Sequence, residues 1–265
     1  MQKVRKEEEK FAPSCVMEGI VSVRAVIEGR ESRVNARKIE RVLFDEAKKK
    51  SKARELSYLC EKSKEHGFEI CFVRSDEIDG MTIGSSHGGI VALCSEREFE
   101  PISRDDVGKN GFYVMLEGIE DPYNFGYALR SIYAAGADGI LLSERNWMSA
   151  AGVVARASAG ASEQMKIYVG EPTEAIKLFK NAGYTVLAAD KTRNSVSVYD
   201  ADMSFPILLL IGGERRGLSA PVMATADKTV CLDYGRRFPA ALSAASAASI
   251  ISFEIFRQNR GKNER

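Results

Sequence analysis

The 265-residue sequence contains few of the residues on which many hydrolytic and metal sites depend. It has only two histidines, so a histidine-rich metal site is disfavoured, and a Ser-His-Asp triad has to use His66 or His87. Neither histidine is accompanied by a serine or cysteine nucleophile motif. Five scattered cysteines with no C-x-x-C pair predict reduced core thiols rather than a disulfide framework. They are Cys15, Cys60, Cys71, Cys94 and Cys231.

Long apolar runs and excess charge are also missing. No run reaches the ~18 apolar residues of a membrane span and no signal-peptide core follows the charged N-terminus, so we expect a cytoplasmic protein without a membrane partner. The net charge is +1, which does not indicate nucleic-acid binding in bulk. Residues 33–54 carry nine Lys or Arg against three acids, a density that can follow a phosphate backbone. A solvated helix face with Glu/Lys pairs is the alternative, which this segment by itself favours.

Common nucleotide signatures are absent as well. A dinucleotide site requires G-x-G-x-x-G after a strand, and a phosphate loop requires G-x-x-x-x-G-K-[ST]. The nearest stretch runs from Gly212 to Gly217, but the next residue is Leu218 rather than Lys. A hydride-transfer enzyme and an ATPase are therefore disfavoured.

The first hundred residues alternate between helical and strand patterns. Residues 17–28 have helical spacing and stop at Gly29, a suitable C-cap, and a second amphipathic helix ends at Gly67. Strands are predicted for "RVLFD", "EICFV" and "GIVALC", the last after the flexible "TIGSSHGG". The pattern predicts a small α/β domain over residues 1–96, followed by a polar linker at 97–110.

The rest of the chain, residues 111–265, predicts a second α/β domain. Its continuously apolar strands indicate burial on both faces, and hence a mainly parallel sheet between helices. Strands are predicted at 112–116, 139–142, 184–189, 206–211 and 229–232, with helices near 124–135, 149–157, 172–182, 219–225 and 240–257. Because parallel sheets bind ligands beyond the carboxyl ends of their strands, the loops at 121–131, 211–219 and 231–246 are the candidates for a site.

Two stretches of the second domain, "DPYNFGYALRSIYAAGADGILL" and "LLIGGERRGLS", carry Asn124, Gly126 and Arg130, then Glu214 and Gly217. Their spacing resembles the first two motifs of the SpoU/TrmH family of RNA ribose 2′-O-methyltransferases, in the SPOUT superfamily.

Further stretches extend this resemblance over nearly the whole chain. "ALSAA" at 241–245 lines up with the family's third motif, S-L-N-V-S, and "ASAGA" at 157–161 with another family stretch. "MEGIVSVRAVIEG" and "SSHGGIVAL" resemble the start and end of the ribosomal-protein-like RNA-binding domain that precedes the catalytic domain in many members.

The resemblance implies a deep trefoil knot in the second domain, S-adenosylmethionine as cofactor and no metal. It implies a homodimer in which Arg130 reaches the donor held by the other subunit, and a structured RNA partner, ribosomal rather than transfer RNA. The function implied is methyl transfer to a ribose 2′-hydroxyl.

The site residues follow from the same resemblance. The catalytic group consists of Arg130, Asn124, Glu214 and Ser243. The cofactor-binding group consists of Gly212, Gly213, Glu214, Gly217, Cys231, Leu232, Asp233 and Leu242. Arg130 is assigned to stabilising the developing alkoxide, since a guanidinium is a very weak base.

Other interpretations of these residues stay open. Arg130 is alternatively paired with a carboxylate across a dimer contact, and Glu214 is alternatively solvated or paired with a neighbouring Arg. For His87 the alternatives are RNA docking and an exposed polar turn.

The sequence departs from the family in the third motif, with Ser243 for Asn and Ala245 for Ser. The alternative function is therefore a non-catalytic knotted RNA-binding protein with impaired methyl transfer. A dimeric structural protein that contacts no RNA is a third interpretation.

Overall fold

A computed structural model describes residues 15–82, 87–143 and 150–261 of the protein. Their contacts divide them into two compact units. The first contains the described residues up to Glu98 together with residues 150–164, and the second contains those from Phe99 to 143 and from Met165 onwards. The change of unit after Glu98 falls within the predicted linker. Residues 150–164 were predicted to belong to the second domain, but they pack in the first unit.

The first unit is built on a four-stranded mixed sheet of order β1-β4-β2-β3, in which β2 and β3 are parallel and the other pairs antiparallel. Its strands are β1 (Val16–Glu18), β2 (Ile39–Asp45), β3 (Glu69–Val73) and β4 (Ile90–Cys94). Its helices are α1 (Gly19–Glu31), α2 (Ala53–His66), α3 (Ser75–Asp79), α5 (Ala151–Ala157) and α6 (Ala161–Gln164), numbered in chain order. Met17, Phe44, Leu59 and Ile90 are fully buried in its core.

Gly29 does not have the predicted role of a helix cap. Helix α1 continues beyond Gly29 to Glu31, and its C-cap is Ser32. Gly67 (φ +75°) is the C-cap of α2, as predicted. A Cβ on Gly29 would lie 2.1 Å from the main-chain oxygen of Glu163. The glycine therefore permits α1 and α6 to approach closely, which the local sequence pattern cannot indicate.

Buried charged groups fix residues 150–164 in the first unit. Glu163 is fully buried and pairs with Arg37 Nε at 3.1 Å. Buried Arg97 donates to the main-chain oxygen of Ser162, and Arg156 Nη1 contacts the Glu18 carboxylate at 2.5 Å. Burial lowers the pKa of the Arg97 guanidinium, and the Glu163 carboxylate opposes this effect. The segment is thus tied to the first sheet by ionic contacts as well as by packing.

The basic segment 33–54 is not the helix face that one interpretation of the sequence predicts. It contains β2 and a 3-10 turn at Glu46–Lys48, and only its last two residues lie in α2. Lys49 does pair with Glu46 at 3.1 Å, as that interpretation expects of the surface.

His87 and the cysteines also differ from expectation. His87 is 5% exposed, its Nε2 lies 2.9 Å from Asp79 Oδ1, and its Nδ1 accepts from Gly89 N. The exposed-turn interpretation is therefore wrong, and a buried imidazole with both nitrogens engaged gives no support to RNA docking by His87. All the cysteines are free, and burial raises the pKa of the Cys94 thiol to about 12, but Cys60 is exposed rather than in the core.

The second unit is built on a seven-stranded sheet whose paired strands are all parallel, in the order β7-β6-β5-β10-β8-β11-β9. Its strands are β5 (Phe112–Glu117), β6 (Gly139–Leu142), β7 (Ile167–Val169), β8 (Thr185–Ala189), β9 (Val196–Ser197), β10 (Ile207–Gly212) and β11 (Lys228–Cys231). Its helices are α4 (Pro122–Ala134), α7 (Pro172–Asn181), α8 (Ala220–Met223) and α9 (Ala244–Asn259). No described helix is both long and apolar enough to cross a membrane.

The predicted parallel sheet is confirmed, and its predicted strands agree with the observed ones to within one residue at either end. The short strands β7 and β9 were not predicted, because three and two residues carry no usable period. The prediction that a helix begins at residue 149 lies outside the described residues, whereas α5 ends at Ala157 as expected. Ile102, in the predicted linker, is buried in the core of the second unit.

Candidate active site

A cavity of about 300 Å³ opens beyond the carboxyl ends of β8, β10 and β11. This is the position at which an open parallel sheet exposes strand-end loops to a ligand. Its lining is Ala189, Asp190, Lys191, Ile211, Gly212, Gly213, Glu214, Gly217, Val230, Cys231, Leu232, Tyr234, Ala241, Leu242, Ala244, Ala247 and Ile251. Apolar walls with a few polar groups at one side are typical of small-molecule sites.

Two glycines bring the loops of β5 and β10 into main-chain contact. A Cβ on Gly213 would lie 1.9 Å from the Gly118 oxygen, so only glycine allows this approach. The loop after β10 closes on itself, because Gly217 N donates to Gly213 O at 2.9 Å. Glu214 therefore lies beside the start of α4.

Helix α4 begins at Pro122, two residues before its predicted start near residue 124. Asp121 accepts from the main-chain nitrogens of Tyr123 and Asn124, and Pro122 occupies the first turn, where its missing N–H costs nothing. This cap fixes the position of Asn124, whose Nδ2 donates to Glu214 Oε1 at 3.1 Å.

The same carboxylate oxygen receives a second hydrogen bond from the other side. Ala244 N, at the start of α9, donates to Glu214 Oε1 at 3.1 Å. The contact fixes the Glu214 carboxylate at the N-terminus of α9, where the helix dipole favours a negative charge. Pairing with Arg215 is not observed, since Arg215 pairs with Glu120 at 3.0 Å. Glu214 is exposed, as the solvated interpretation expects, and makes these two hydrogen bonds as well.

Ser243 lies at the N-cap of α9 and does not line the cavity. Its hydroxyl accepts from Ser246 N at 3.2 Å and lies 3.0 Å from Ser246 Oγ. The side chain is thus engaged in capping the helix that presents Ala244 N to Glu214. Its assigned catalytic role stays a prediction, and these contacts support a positioning role.

Arg130 is exposed on α4, six residues beyond Asn124, and does not line the cavity of its own chain. At 100° per residue the two side chains point about 120° apart around the helix. Within the part of the chain that the structure describes, no carboxylate or hydrogen-bond acceptor pairs with its guanidinium.

Of the predicted cofactor-binding residues, all but Asp233 line the cavity. Asp233 is exposed, while its neighbours Leu232 and Tyr234 face the cavity. Successive side chains of an extended segment point to opposite sides, which accounts for this alternation.

The sequence analysis missed the residues that β8 and the inner face of α9 contribute. Asp190 and Lys191 follow a strand that was predicted, so the strand-end rule could have identified them. The small residues Ala244 and Ala247 belong to a helix pattern that did not indicate which face meets the cavity.

One acid and histidine cluster in the first unit has metal-ligand spacing. Glu31, Glu65 and His66 lie together, but Lys62 Nζ contacts Glu31 at 2.9 Å and Glu65 at 2.6 Å. Hydrogen bonds from Lys62 and His66 lower the pKa of Glu31. The Lys62 ammonium group already bridges both carboxylates, so this cluster is a surface ion-pair network.

Comparisons with known proteins agree with this architecture. Residues 111–253 match the "SpoU rRNA Methylase family", and residues 18–100 match "RNA 2'-O ribose methyltransferase substrate binding". A Staphylococcus saprophyticus protein named "Putative TrmH family tRNA/rRNA methyltransferase" is 28% identical over 235 residues, which cover 86% of this chain and 92% of the relative.

Two solved structures share the fold. The AdoMet-bound rRNA methyltransferase from Sinorhizobium meliloti has a TM-score of 0.74 at 24% identity, covering 96% of this chain and 90% of that one. The SpoU methyltransferase AviRb from Streptomyces viridochromogenes, in complex with AdoMet, has a TM-score of 0.74 at 22% identity, covering 92% and 90%.

Proposed function

Because this chain belongs to the SpoU rRNA methylase family, we propose that it transfers a methyl group from S-adenosylmethionine to a ribose 2′-hydroxyl of structured RNA, ribosomal rather than transfer RNA. The observation that carries the proposal is the Glu214 carboxylate, held at the cavity by Asn124 and by the first main-chain nitrogen of α9. The relatives named for tRNA and rRNA methylation, and the AdoMet complexes among similar folds, support it.

The cavity suits an adenosyl donor. Ile211, Leu232 and Leu242 supply apolar surface for a base, and Gly217, with φ +62° and open space where a Cβ would be, leaves its main chain accessible. Glu214 and Asp190 place negative charge where the donor is cationic. When bound, S-adenosylmethionine supplies a methyl group already activated by its sulfonium. The protein then has mainly to orient the hydroxyl in line with that methyl.

Arg130 is proposed to act on the cavity of a second subunit. It shares one exposed face of α4 with Tyr127 and Tyr123, three and seven residues earlier, and this face points away from its own cavity. A guanidinium brought to the ribose stabilises the developing alkoxide, and an adjacent RNA phosphate takes the proton.

A homodimer through α4 and α9 supplies that second subunit. The two helices pack together and are joined by a hydrogen bond from Ser249 Oγ to Ser131 Oγ at 2.6 Å. Their outer side exposes large apolar side chains, with Tyr127 49%, Phe253 47% and Phe256 45% exposed. A contiguous apolar patch of this kind is typical of a protein interface.

The proposal includes the deep trefoil knot and the cytoplasmic location. The packing of the C-terminal helix α9 against α4, with its first nitrogen on the loop after β10, supports a path in which the chain end is threaded back through earlier loops.

The first unit is proposed to dock the RNA. It contains the match to the substrate-binding family, and its basic segment carries the half-buried Lys48 and Lys49 and the exposed Lys50. Lys49 Nζ lies 3.8 Å from the ring centroid of exposed Phe72, which places a cation and an aromatic ring together on the edge strand β3. Such surfaces bind phosphate and bases, with strong salt dependence.

The test is transfer of tritiated methyl from S-adenosylmethionine to unmodified ribosomal and transfer RNA, with ribose methylation identified by nuclease digestion. The Arg130→Ala variant should lose about 100-fold or more in rate, in line with the removal of one transition-state donor. Because Arg130 is exposed and unpaired among the described residues, the melting temperature of the Arg130→Ala variant should equal that of the wild type.

Full activity in Arg130→Ala would contradict the assigned role of Arg130. Absence of labelling by the wild type, combined with failure to retain the donor in equilibrium dialysis, would leave the non-catalytic RNA-binding protein as the better interpretation.

A further inference from the structure

The segment 232–243, between β11 and α9, is called the rim loop because its inner side forms one wall of the cavity. Leu232, Tyr234, Ala241 and Leu242 all line that cavity. The Tyr234 hydroxyl accepts from Leu242 N at 3.2 Å. This hydrogen bond connects the start of the loop to its end, so the residues between them form a closed turn at the mouth of the cavity.

The outer side of the rim loop exposes an aromatic ring between cations. Phe238 is 50% exposed, and its ring centroid lies 6.0 Å from that of Tyr234 at an angle of 59°. Arg236 and Arg237 precede it and are both exposed. Lys191 Nζ lies 5.5 Å from the ring centroid of Tyr234. Phe238 is thus supported from behind by one ring and has its own outer face in solvent.

We propose that Phe238 is a stacking platform for an unpaired nucleobase of the RNA substrate, with Arg236 and Arg237 on the adjoining phosphates. This deepens the proposed function, on which it rests, by naming a single-stranded or looped nucleotide as the feature bound beside the donor. An aromatic face next to guanidinium groups is the combination that binds splayed bases, since stacking needs a π surface and the backbone needs positive charge.

The charge and position of the loop favour RNA over a protein partner. The rim loop carries two Arg against one acid, Asp233, and Lys191 adds a further positive charge at the same cavity. Its inner residues already contribute to the donor cavity, so a base on Phe238 lies within reach of the ribose to be methylated. The apolar face proposed for dimer contact lies on α4 and α9 instead.

The experiment measures binding of hairpin RNAs that carry 2-aminopurine at one loop position, whose fluorescence falls when the base stacks. The full-length wild type should quench at least one such hairpin. Phe238→Ala should weaken binding by about 5- to 100-fold, the usual effect of removing an aromatic that stacks one base, whereas Phe238→Trp should preserve it. Phe238→Leu, which keeps an apolar side chain without a π face, should behave like the Ala variant.

Tyr199→Ala is the matched control, since Tyr199 is 55% exposed in the same unit but does not line the cavity. It should bind the hairpins as the wild type does. Binding of S-adenosylmethionine, measured separately by calorimetry, should be unchanged in Phe238→Ala, because the exposed ring faces away from the cavity wall.

Three results would overturn the platform. These are equal hairpin affinity for wild type and Phe238→Ala, no quenching of any hairpin by the wild type, and conversion of Phe238→Ala to a monomer in sedimentation, which would make the ring part of a subunit contact. If the wild type methylates no RNA but its quenching depends on Phe238, the platform stands and the proposed methyl transfer fails. If the wild type methylates RNA but neither methylation nor quenching depends on Phe238, the proposed methyl transfer stands and the platform fails.

Discussion

At the scale of single residues, the protein uses charge in two contrasting environments. Glu163 is fully buried against Arg37, where each charge needs its partner because water is excluded. Glu174 and Lys177 make a close contact at 2.5 Å on the surface of α7, where both are solvated. Ion pairs of a glutamate with a basic side chain therefore differ in their effect on folding according to burial.

Glu163→Gln should lower the free energy of unfolding by about 3 kcal/mol, since it removes the buried carboxylate charge that faces the Arg37 guanidinium. Urea denaturation monitored by circular dichroism measures this. In the matched control Glu174→Gln, the unfolding midpoint should hardly move, as is usual for exposed pairs. Equal midpoints for both variants would show that the buried pair contributes nothing.

Residue identity was predictable only where the chemistry is local. The αL cap at Gly67 was predicted, because it depends on neighbouring residues alone, whereas α4 starts two residues before its predicted start near residue 124. Asp233 was placed in the cavity, but its neighbour Tyr234 lies there, since the alternation after β11 decides which side chain points inward. His87 was expected at the surface, and burial against Asp79 decides otherwise.

At the scale of elements, glycine permits close approach between segments far apart in sequence. Gly213 allows the β10 loop to touch the β5 loop, and Gly29 allows α1 to touch α6. In a helix interior, alanine is intrinsically better than glycine by about 1 kcal/mol. Propensity and packing therefore predict opposite effects for a substitution at Gly29.

Gly29→Ala should destabilise the protein by about 1–3 kcal/mol, because its Cβ would lie 2.1 Å from a main-chain oxygen and 2.7 Å from Asn35 Nδ2. Gly80→Ala is the matched control: Gly80 has a right-handed helical conformation, and its nearest atom would be at 3.4 Å. It should be neutral or stabilising by up to about 1 kcal/mol. Thermal unfolding of both variants decides the point, and a stabilised Gly29→Ala would show that helix propensity outweighs the clash.

At the scale of the whole molecule, the position of Arg130 divides the proposed active site between two chains. Asn124 and Glu214 meet at the cavity of one chain, while Arg130 points about 120° away on the same helix. The dimer that we propose through α4 and α9 would bring these groups together. This makes the assembly testable through activity.

Mixing inactive Arg130→Ala with inactive Glu214→Ala should restore methyl transfer. After exchange of subunits half of the dimers are mixed, and each has one intact site of two, so activity should reach about a quarter of the wild-type value. Each variant mixed with itself is the control. If Arg130 acts on the cavity of its own chain, the mixture will stay inactive.

The response to acid is also a property of the molecule as a whole. A hydrogen bond from the Ser75 hydroxyl, at 2.7 Å, lowers the pKa of buried Asp45 below its ordinary 3.8, and Arg257 lowers that of Glu254 in the second unit. Because the folded pKa is depressed, the unfolded chain binds protons first as the pH falls. The stabilisation is complete above about pH 4 and is lost progressively below it.

The urea midpoint should therefore fall between pH 5 and pH 3. Ser75→Ala should reduce the midpoint at pH 5 more than at pH 3, since the hydrogen bond favours the ionised Asp45. A variant whose midpoint runs parallel to that of the wild type over this range would rule out this contribution of Asp45.

The sequence by itself determined the two α/β regions, the long strands of the parallel sheet and the loops at which a site could lie. Hydrophobic period, caps and turn residues act over a few neighbouring positions, so the elements that they specify can be predicted from the sequence. Only the tertiary structure decided that residues 150–164 pack in the first unit, that Asn124 meets Glu214 across 90 residues, and that Arg130 faces away from its own cavity. These contacts depend on how whole elements pack, and a pattern of neighbouring residues does not specify contacts between residues far apart in the chain.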